Sequence, residues 1–596
     1  MTELLSSFPD TACKDAHPQD TVRRIKSILR QQNIVTEEQW NTSGVPYCHS
    51  VRIRIAGTPF GANGKGVSRE LALASGYGEL MERLQMGYLV KTAGQKAAVQ
   101  TDSAVEDPLM SMGSLLSSGD FPKYADLAQQ ATGSPITVDA LLQQYADPQG
   151  NIPVTAFYSI SRGKQVFLPS ALRRSIYTTS GCAAGNTMEE AMVQAISEIV
   201  ERHYKSRILT EHIPLPDIGE DTLQSCPIAW EIICFLRKKG FLVRVKDCSL
   251  GTKFPAVCVC LIDRRTGKYH THFGAFPIFE IALQRTLTES FQGRTLENIG
   301  RYTNFCPNSR ALPVLMSELV QGTAEKPAEF FLNTAGSHTP TAGFSGSDNR
   351  TLLKECLAFF AEQGLDVWVR DCSCLGFPTC QIIVPGYSEI FPHRLSPRHS
   401  DTRYAPMAQK VLRNPATARL DECMGLLLHM GQSQASGLGN RTFTADANLA
   451  AELLAQEDGF LLYTTLAHVH YTLGKTADAG NAIDHAIPLG KAQDAQYLLC
   501  LKRYLDLRQE GRSPEEIKTL LQYFHHSDTV SQLYTLLEAK QNPLNPVVLR
   551  CDETCPPDCR LAGLCSQKRA VALANYIHSQ SLRLDQSQLS RLLDTL

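Results

Sequence analysis

No run of about 18 apolar residues occurs in the 596-residue sequence, so no helical membrane span is expected. Residues 1–20, MTELLSSFPDTACKDAHPQD, lack a basic stretch followed by an apolar one and do not read as a secretory leader, which makes a cytoplasmic protein the expectation. The formal net charge is only −2, too little to attract nucleic acid or an anionic membrane. A Walker A loop is missing too. The glycine-rich stretch GTPFGANGKGVS carries Lys65, but Pro59 stands five residues before Gly64 and Gly66 follows Lys65, where that motif needs Gly and Ser or Thr. What remains is an ordinary globular composition, 43% hydrophobic and 20% charged, in a chain long enough for more than one domain.

Cysteine is plentiful, at 19 residues. Most are single residues in apolar runs, such as Cys258, Cys260, Cys356 and Cys380, and read as buried thiols of a reducing compartment. The exception is CDETCPPDCRLAGLC, where Cys551, Cys555, Cys559 and Cys565 cluster. Four thiolates so close can hold Zn²⁺ or an iron–sulfur cluster. Their spacing fits no familiar finger, and a redox set or four unrelated thiols are the alternatives.

Carboxylates on helices are the main chemical signal. In residues 177–203, YTTSGCAAGNTMEEAMVQAISEIVERH, a loop leads into a helix with Ala191, Met192, Ala195, Ile196, Ile199 and Val200 at helical spacing. Glu190, Gln194, Glu198 and Glu201 share one stripe of it, beside Arg202. Three carboxylates on one stripe stay ionised only with water or a cation among them. Residues 64–83 repeat the design: a loop with Lys65 and Ser68, then a helix ending Glu79-x-x-Glu82-Arg83, matching Glu198-x-x-Glu201-Arg202. A third helix, residues 281–294, puts Arg285, Glu289 and Gln292 on one face. Each helix alone reads as a charged surface helix. Together they point to one site where carboxylates hold Mg²⁺ and arginines meet phosphate.

The rest of the chain frames this site. Residues 19–33 read as an amphipathic helix and residues 49–57 as a strand. GFLVRVKDCSLGTKFPAVCVCLI (240–262) resembles GLDVWVRDCSCLGFPTCQIIVPG (364–386), which suggests duplicated α/β units with Asp247 and Asp371 as turn caps. Residues 1–44 form an N-terminal helical segment and 45–395 the main domain. Residues 396–440 are a linker and helix, 441–545 an all-α helical-repeat domain, and 546–596 the cysteine cluster with C-terminal helices. Within 461–487, Ala467, Ala479, Ala486 and Gly474 fit a tetratricopeptide pattern, whose concave face would take a protein or peptide.

The three motif segments GKGVSRELALASGYGELMER, SGCAAGNTMEEAMVQAISEIVER and GAFPIFEIALQRTLTESFQGR resemble, in that order, the three ATP-site motifs of the YcaO family. VPGYSEIFP at 384–392 adds to the resemblance, which covers roughly residues 45–395. The fold it implies is an α/β (α+β) ATP-binding domain outside the P-loop and kinase folds. The Mg²⁺ ligands it implies are Glu79, Glu82, Glu198, Glu201 and Glu190. Arg202, Arg285 and Glu289, with Lys65, Ser68 and Gln194, would contact ATP. The reaction it implies is O-phosphorylation of a peptide backbone amide, splitting ATP to ADP and phosphate. The helical tail is similar to the enterobacterial type, an accessory factor in methylthiolation of a ribosomal protein. That implies a ribosomal protein and a methylthiotransferase as partners, in a homodimer.

Two departures bear on the reaction. Azoline-forming members end in a Pro-x-Pro-x-Pro tail, whereas this sequence ends SRLLDTL. No peptide-clamp domain is evident. The alternatives are therefore a thioamide- or azoline-forming enzyme, or a non-catalytic ATP-binding adaptor that recruits a partner through its helical tail.

Overall fold

The computed structural model describes residues 13–56, 61–87, 108–299, 326–389, 411–435, 459–548 and 576–595, with short gaps within several of these stretches. Cys551, Cys555, Cys559 and Cys565 lie outside the described residues. The chain forms two compact units. The first comprises residues 1–89, 102–397 and 573–596, and the second residues 90–101 and 398–572.

The first unit carries three antiparallel sheets and the helices that cover them. Helix α1 (Pro18–Gln31) precedes a three-stranded meander of β1 (Thr36–Thr42), β2 (His49–Ile55) and β3 (Gly61–Gly66). Helix α2 (Arg69–Gln85) follows and packs on β2 and β3. The largest sheet has the order β4 (Leu109–Ser111), β5 (Asn151–Ser159), β11 (Trp368–Asp371), β12 (Thr379–Ile383), β7 (Cys182–Ala184), with β6 (Lys164–Pro169) beside β5. Between β6 and β7 lies the short helix α3 (Ser170–Ile176), and after β7 comes the long helix α4 (Met188–Glu211). The third sheet orders β10 (Lys268–Ala275), β9 (Ala256–Asp263) and β8 (Phe241–Asp247). Helix α5 (Pro227–Lys238) precedes it and α6 (Phe279–Ser290) follows; α7 (Asn349–Ala361) leads into β11.

Helix α4 is the axis of this unit. Its Ala191, Ala195, Ile196, Ile199 and Val200 share one core with Ala183, Val369, Cys380 and Ile382 of the large sheet and with Cys258, Cys260 and Phe273 of the third sheet. A helix between two sheets buries more than one face, which explains apolar side chains around much of its girth. The opposite face of the third sheet, with Val257, Val259 and Leu261, packs on α5 and α6.

The duplicated unit is visible as geometry. Each copy runs helix, positive-φ glycine (Gly240 or Gly364), strand, Asp-Cys-Ser turn, then a partner strand. Asp247 accepts from the Ser249 amide at 2.9 Å, and Asp371 from the Ser373 amide at 2.8 Å. Both aspartates cap turns. Among the described residues every strand pair is antiparallel, so the sheets are of the α+β kind.

Two boundaries differ from expectation. The third motif helix stops at Ser290, because Gly293 turns the chain with φ of +67° and leaves Gln292 beyond the helix. Residues 573–596 join the first unit rather than a separate tail: Leu589 and Leu593, one turn apart, are buried in its core.

The second unit is helical throughout its described part: α8 (Leu420–Ala435), α9 (Gly459–Thr472), α10 (Thr476–Ala486), α11 (Ala492–Gln509), α12 (Pro514–Phe524) and α13 (Ser527–Glu538). Ala467, Ala479 and Ala486 are all buried, and Gly474 makes the α9–α10 turn at φ of +73°. Leu498, Leu501 and Leu505 of α11 centre its core.

Candidate functional site

The three motif helices begin after a strand or a strand-like turn, and two begin alike. Ser68 caps α2 by accepting from the Leu71 amide, and Thr187 caps α4 by accepting from the Glu190 amide. Two residues before each cap is a glycine. A Cβ on Gly66 would lie 2.6 Å from the Ala72 nitrogen, and one on Gly185 would lie 2.6 Å from the Ala191 nitrogen. The glycines let the incoming strand pass close over the first helical turn in both motifs.

The helices bring their charged residues to one place. Lys65 of β3 pairs with Glu289 of α6. Arg83 reaches Glu79 at 3.5 Å and Glu82 at 3.7 Å, and Arg202 pairs with Glu198. His272 Nε2 of β10 lies 3.7 Å from Glu289. Arg285 donates to the Gln194 side-chain oxygen and stacks over Phe276, with its guanidinium carbon 5.4 Å from the ring centre.

Electrostatics ties the groups together. Burial raises Glu82 well above the ordinary carboxylate range, with Glu198 and Glu79 adding to it against Arg83 and Arg202. Burial also raises Glu79, against Arg83 and Lys65. Glu201 is pushed up to about 7 by burial and by Glu289, against Lys205 and Arg202. For Glu289 burial works the other way from its partners: Lys65 and His272 outweigh it and hold the carboxylate well below its usual value. Burial keeps His272 neutral-leaning despite Glu289. A cation among these carboxylates would oppose the upward shifts by favouring their ionised form.

Two candidates stand at the far ends of their helices. Ser68 spends its hydroxyl on the α2 cap, about 16 Å of helix from Glu79. Glu190 sits in the first turn of α4, about 12 Å from Glu198. Its oxygens take Lys14 at 3.1 Å, the Asp15 amide at 3.1 Å and the Asn186 side chain at 2.9 Å. These contacts outweigh burial and lower its pKa.

The candidate set from the sequence omits Arg83, Lys205 and His272. Arg83 was legible as the counterpart of Arg202. Lys205 follows Glu201 by one helical turn. His272 carried no signal, because it lies on β10 just before the third motif segment begins.

The carboxylates are hard oxygen donors of the kind Mg²⁺ prefers. Among the described residues no three His, Cys, Asp or Glu side chains stand in a ready-made metal arrangement, because Arg83, Arg202 and Lys65 hold the carboxylates instead. The donor types fit Mg²⁺, and its arrival would exchange these ion pairs for metal contacts.

Residues 63–388 match the family model described as YcaO cyclodehydratase, ATP- and Mg²⁺-binding. The chain belongs to the YcaO family. It is 32% identical over 392 residues to "Ribosomal protein S12 methylthiotransferase accessory factor YcaO" of Escherichia coli, a match covering 64% of this chain and 66% of that one. A protein of Haemophilus influenzae described as uncharacterised is 30% identical over 389 residues, with the same coverage. The chain thus matches just under two thirds of the length of these relatives. Among solved structures, a heterocyclase in complex with substrate and cofactor has a TM-score of 0.47 at 21% identity, covering 63% of this chain and 53% of that one. YcaO from Methanopyrus kandleri bound with AMPPCP and Mg²⁺ has a TM-score of 0.39 at 19% identity, covering 63% and 92%. Among the described residues no helix is long and apolar enough to cross a membrane.

Proposed function

We propose that this protein uses Mg²⁺ and ATP to activate a peptide backbone amide by O-phosphorylation, as an accessory factor in methylthiolation of a ribosomal protein. The observation that carries the reading is the meeting of Glu79, Glu82, Glu198, Glu201 and Glu289 with Lys65, Arg83 and Arg202, from three separated segments, in one partly buried cluster. Bound ATP would supply the phosphoryl group that turns an amide oxygen into a leaving group. The chain's own part is positioning and charge neutralisation, which is most of what phosphoryl transfer asks of a protein. Glu79, Glu82, Glu198 and Glu201 would hold Mg²⁺. Lys65, Arg202 and Arg285 would orient phosphate oxygens, with Gln194 fixing Arg285 and Glu289 fixing Lys65. Exchange of carboxylate–arginine pairs for carboxylate–metal pairs would free the arginines for the substrate.

Calorimetric titration with a nonhydrolysable ATP analogue, with and without Mg²⁺, tests the site. Arg202→Ala should abolish binding while the circular dichroism spectrum stays unchanged. Binding that survives there places the nucleotide elsewhere. Release of ADP and phosphate in the presence of the target protein tests the reaction. Replacing residues 398–572 with a flexible linker tests the helical unit: nucleotide binding that persists while target modification is lost would assign that unit to recruitment.

A further inference from the structure

The large sheet of the first unit carries a second polar group that the proposed reaction does not use. Strand register sets Arg370 of β11, Gln381 of β12 and Cys182 of β7 side by side, so their side chains share one face. That face also holds Trp368 and Ile383, two residues along the same strands. Helix α3 lies near β5 and contributes Arg173. The Arg173 Nε donates to the Thr155 hydroxyl at 3.2 Å, and its Nη1 to the Gln381 side-chain oxygen at 2.9 Å. Arg173 is 5% exposed and Gln381 fully buried.

The group is out of balance. Among the described residues, neither Arg173 nor Arg370 has a carboxylate within ion-pair distance. Arg173 occupies the Gln381 oxygen, and the buried Gln381 NH₂ has no acceptor. Ser180, two residues before Cys182, has a buried hydroxyl without a partner. Cys182 does not supply the missing anion, since burial and the nearby Glu82 keep its thiol protonated. Asp371 does not supply it either: it alternates to the opposite face of β11 and accepts from Ser373. A buried guanidinium without a counter-charge and a buried amide without an acceptor lack the same thing, an anionic oxygen. The arginine fork is matched to carboxylate and phosphate oxygens.

We propose that Arg173, Arg370 and Gln381 form an oxyanion-binding site, built from residues other than those of the neighbouring nucleotide cluster, that takes a carboxylate or a phosphate. Its donors come from a helix and two adjacent strands, and an anion would supply the acceptor that the Gln381 NH₂ lacks.

Thermal unfolding of the full-length protein in chloride, and with inorganic phosphate or acetate at matched ionic strength, tests the site. The melting temperature should rise saturably with one of the two anions, in wild type and equally in Arg202→Ala. In Arg370→Ala the apparent affinity should fall by about tenfold or more. Gln381→Glu places a carboxylate beside Arg173, so it should melt higher in chloride and no longer respond to the anion. A response to phosphate alone identifies free phosphate as the ligand, and a response to acetate alone identifies a carboxylate of a substrate. No response in wild type, an equal response in Arg370→Ala, or a response lost in Arg202→Ala would overturn the proposal.

Discussion

Lys65 and Glu289 are 224 residues apart in the chain and form an ion pair. The pair joins the strand before α2 to the last turn of α6. Lys65→Ala removes the cation paired with Glu289 and leaves His272 beside the carboxylate. Affinity for an ATP analogue with Mg²⁺ should fall about tenfold or more, with little change in melting temperature. Calorimetric titration measures it, and unchanged affinity would separate this pair from the nucleotide.

Glu198 pairs with Arg202 one turn later on the same helix. Glu198→Ala removes a proposed metal donor and releases the arginine. Nucleotide binding should lose its dependence on Mg²⁺, because the remaining donors no longer favour the metal over their own arginines. Titrations with and without Mg²⁺ that still differ as in wild type would count against Glu198 as a ligand.

Gly185 and Gly66 allow the close passage of strand over helix. A methyl group on either would lie 2.6 Å from a backbone nitrogen, where nothing flexible can yield. Gly185→Ala and Gly66→Ala should each cost about 1–3 kcal/mol, read as a lower urea midpoint at unchanged slope. The cost should fall on nucleotide binding too, since each glycine sets the direction of a carboxylate-bearing helix.

His203 stacks on the Tyr387 ring at 3.6 Å and its Nδ1 lies 2.8 Å from the Tyr387 carbonyl oxygen. Burial lowers its pKa from 6.5 to about 4, with the Tyr387 carbonyl opposing the shift. The unfolded state therefore binds the proton first. Stability from the neutral ring is fully present above pH 6.5 and is lost as pH falls through about 4, by roughly 1–3 kcal/mol after allowance for solvent screening. Denaturation measured from pH 7 to pH 4 should show this slope, and His203→Gln should flatten it.

Much of the first unit was legible because local rules act there. The caps at Ser68 and Thr187, the strand alternation in β2, and the periodicity of α4 are short-range patterns. The paired Asp-Cys-Ser turns exposed the repeated unit because the same turn chemistry is needed twice. The end of α6 was misread, since Arg285, Glu289 and Gln292 keep helical spacing although Gly293 already ends the helix.

By itself the sequence determined which side chains could carry a site: three segments with carboxylates and basic residues at helical spacing, the second continuing the pattern of the first. Helix periodicity is a property of neighbours, so it is written locally. Only the tertiary structure decided which of those residues meet. It brought Lys65 to Glu289 and added His272 from a strand whose own pattern says nothing of charge. It left Ser68 and Glu190 at the capped ends of their helices. It also set Arg370, Gln381 and Arg173 together with no carboxylate within ion-pair distance among the described residues. Strand register and helix placement follow from burying α4 between two sheets, a long-range result of packing that no local pattern contains.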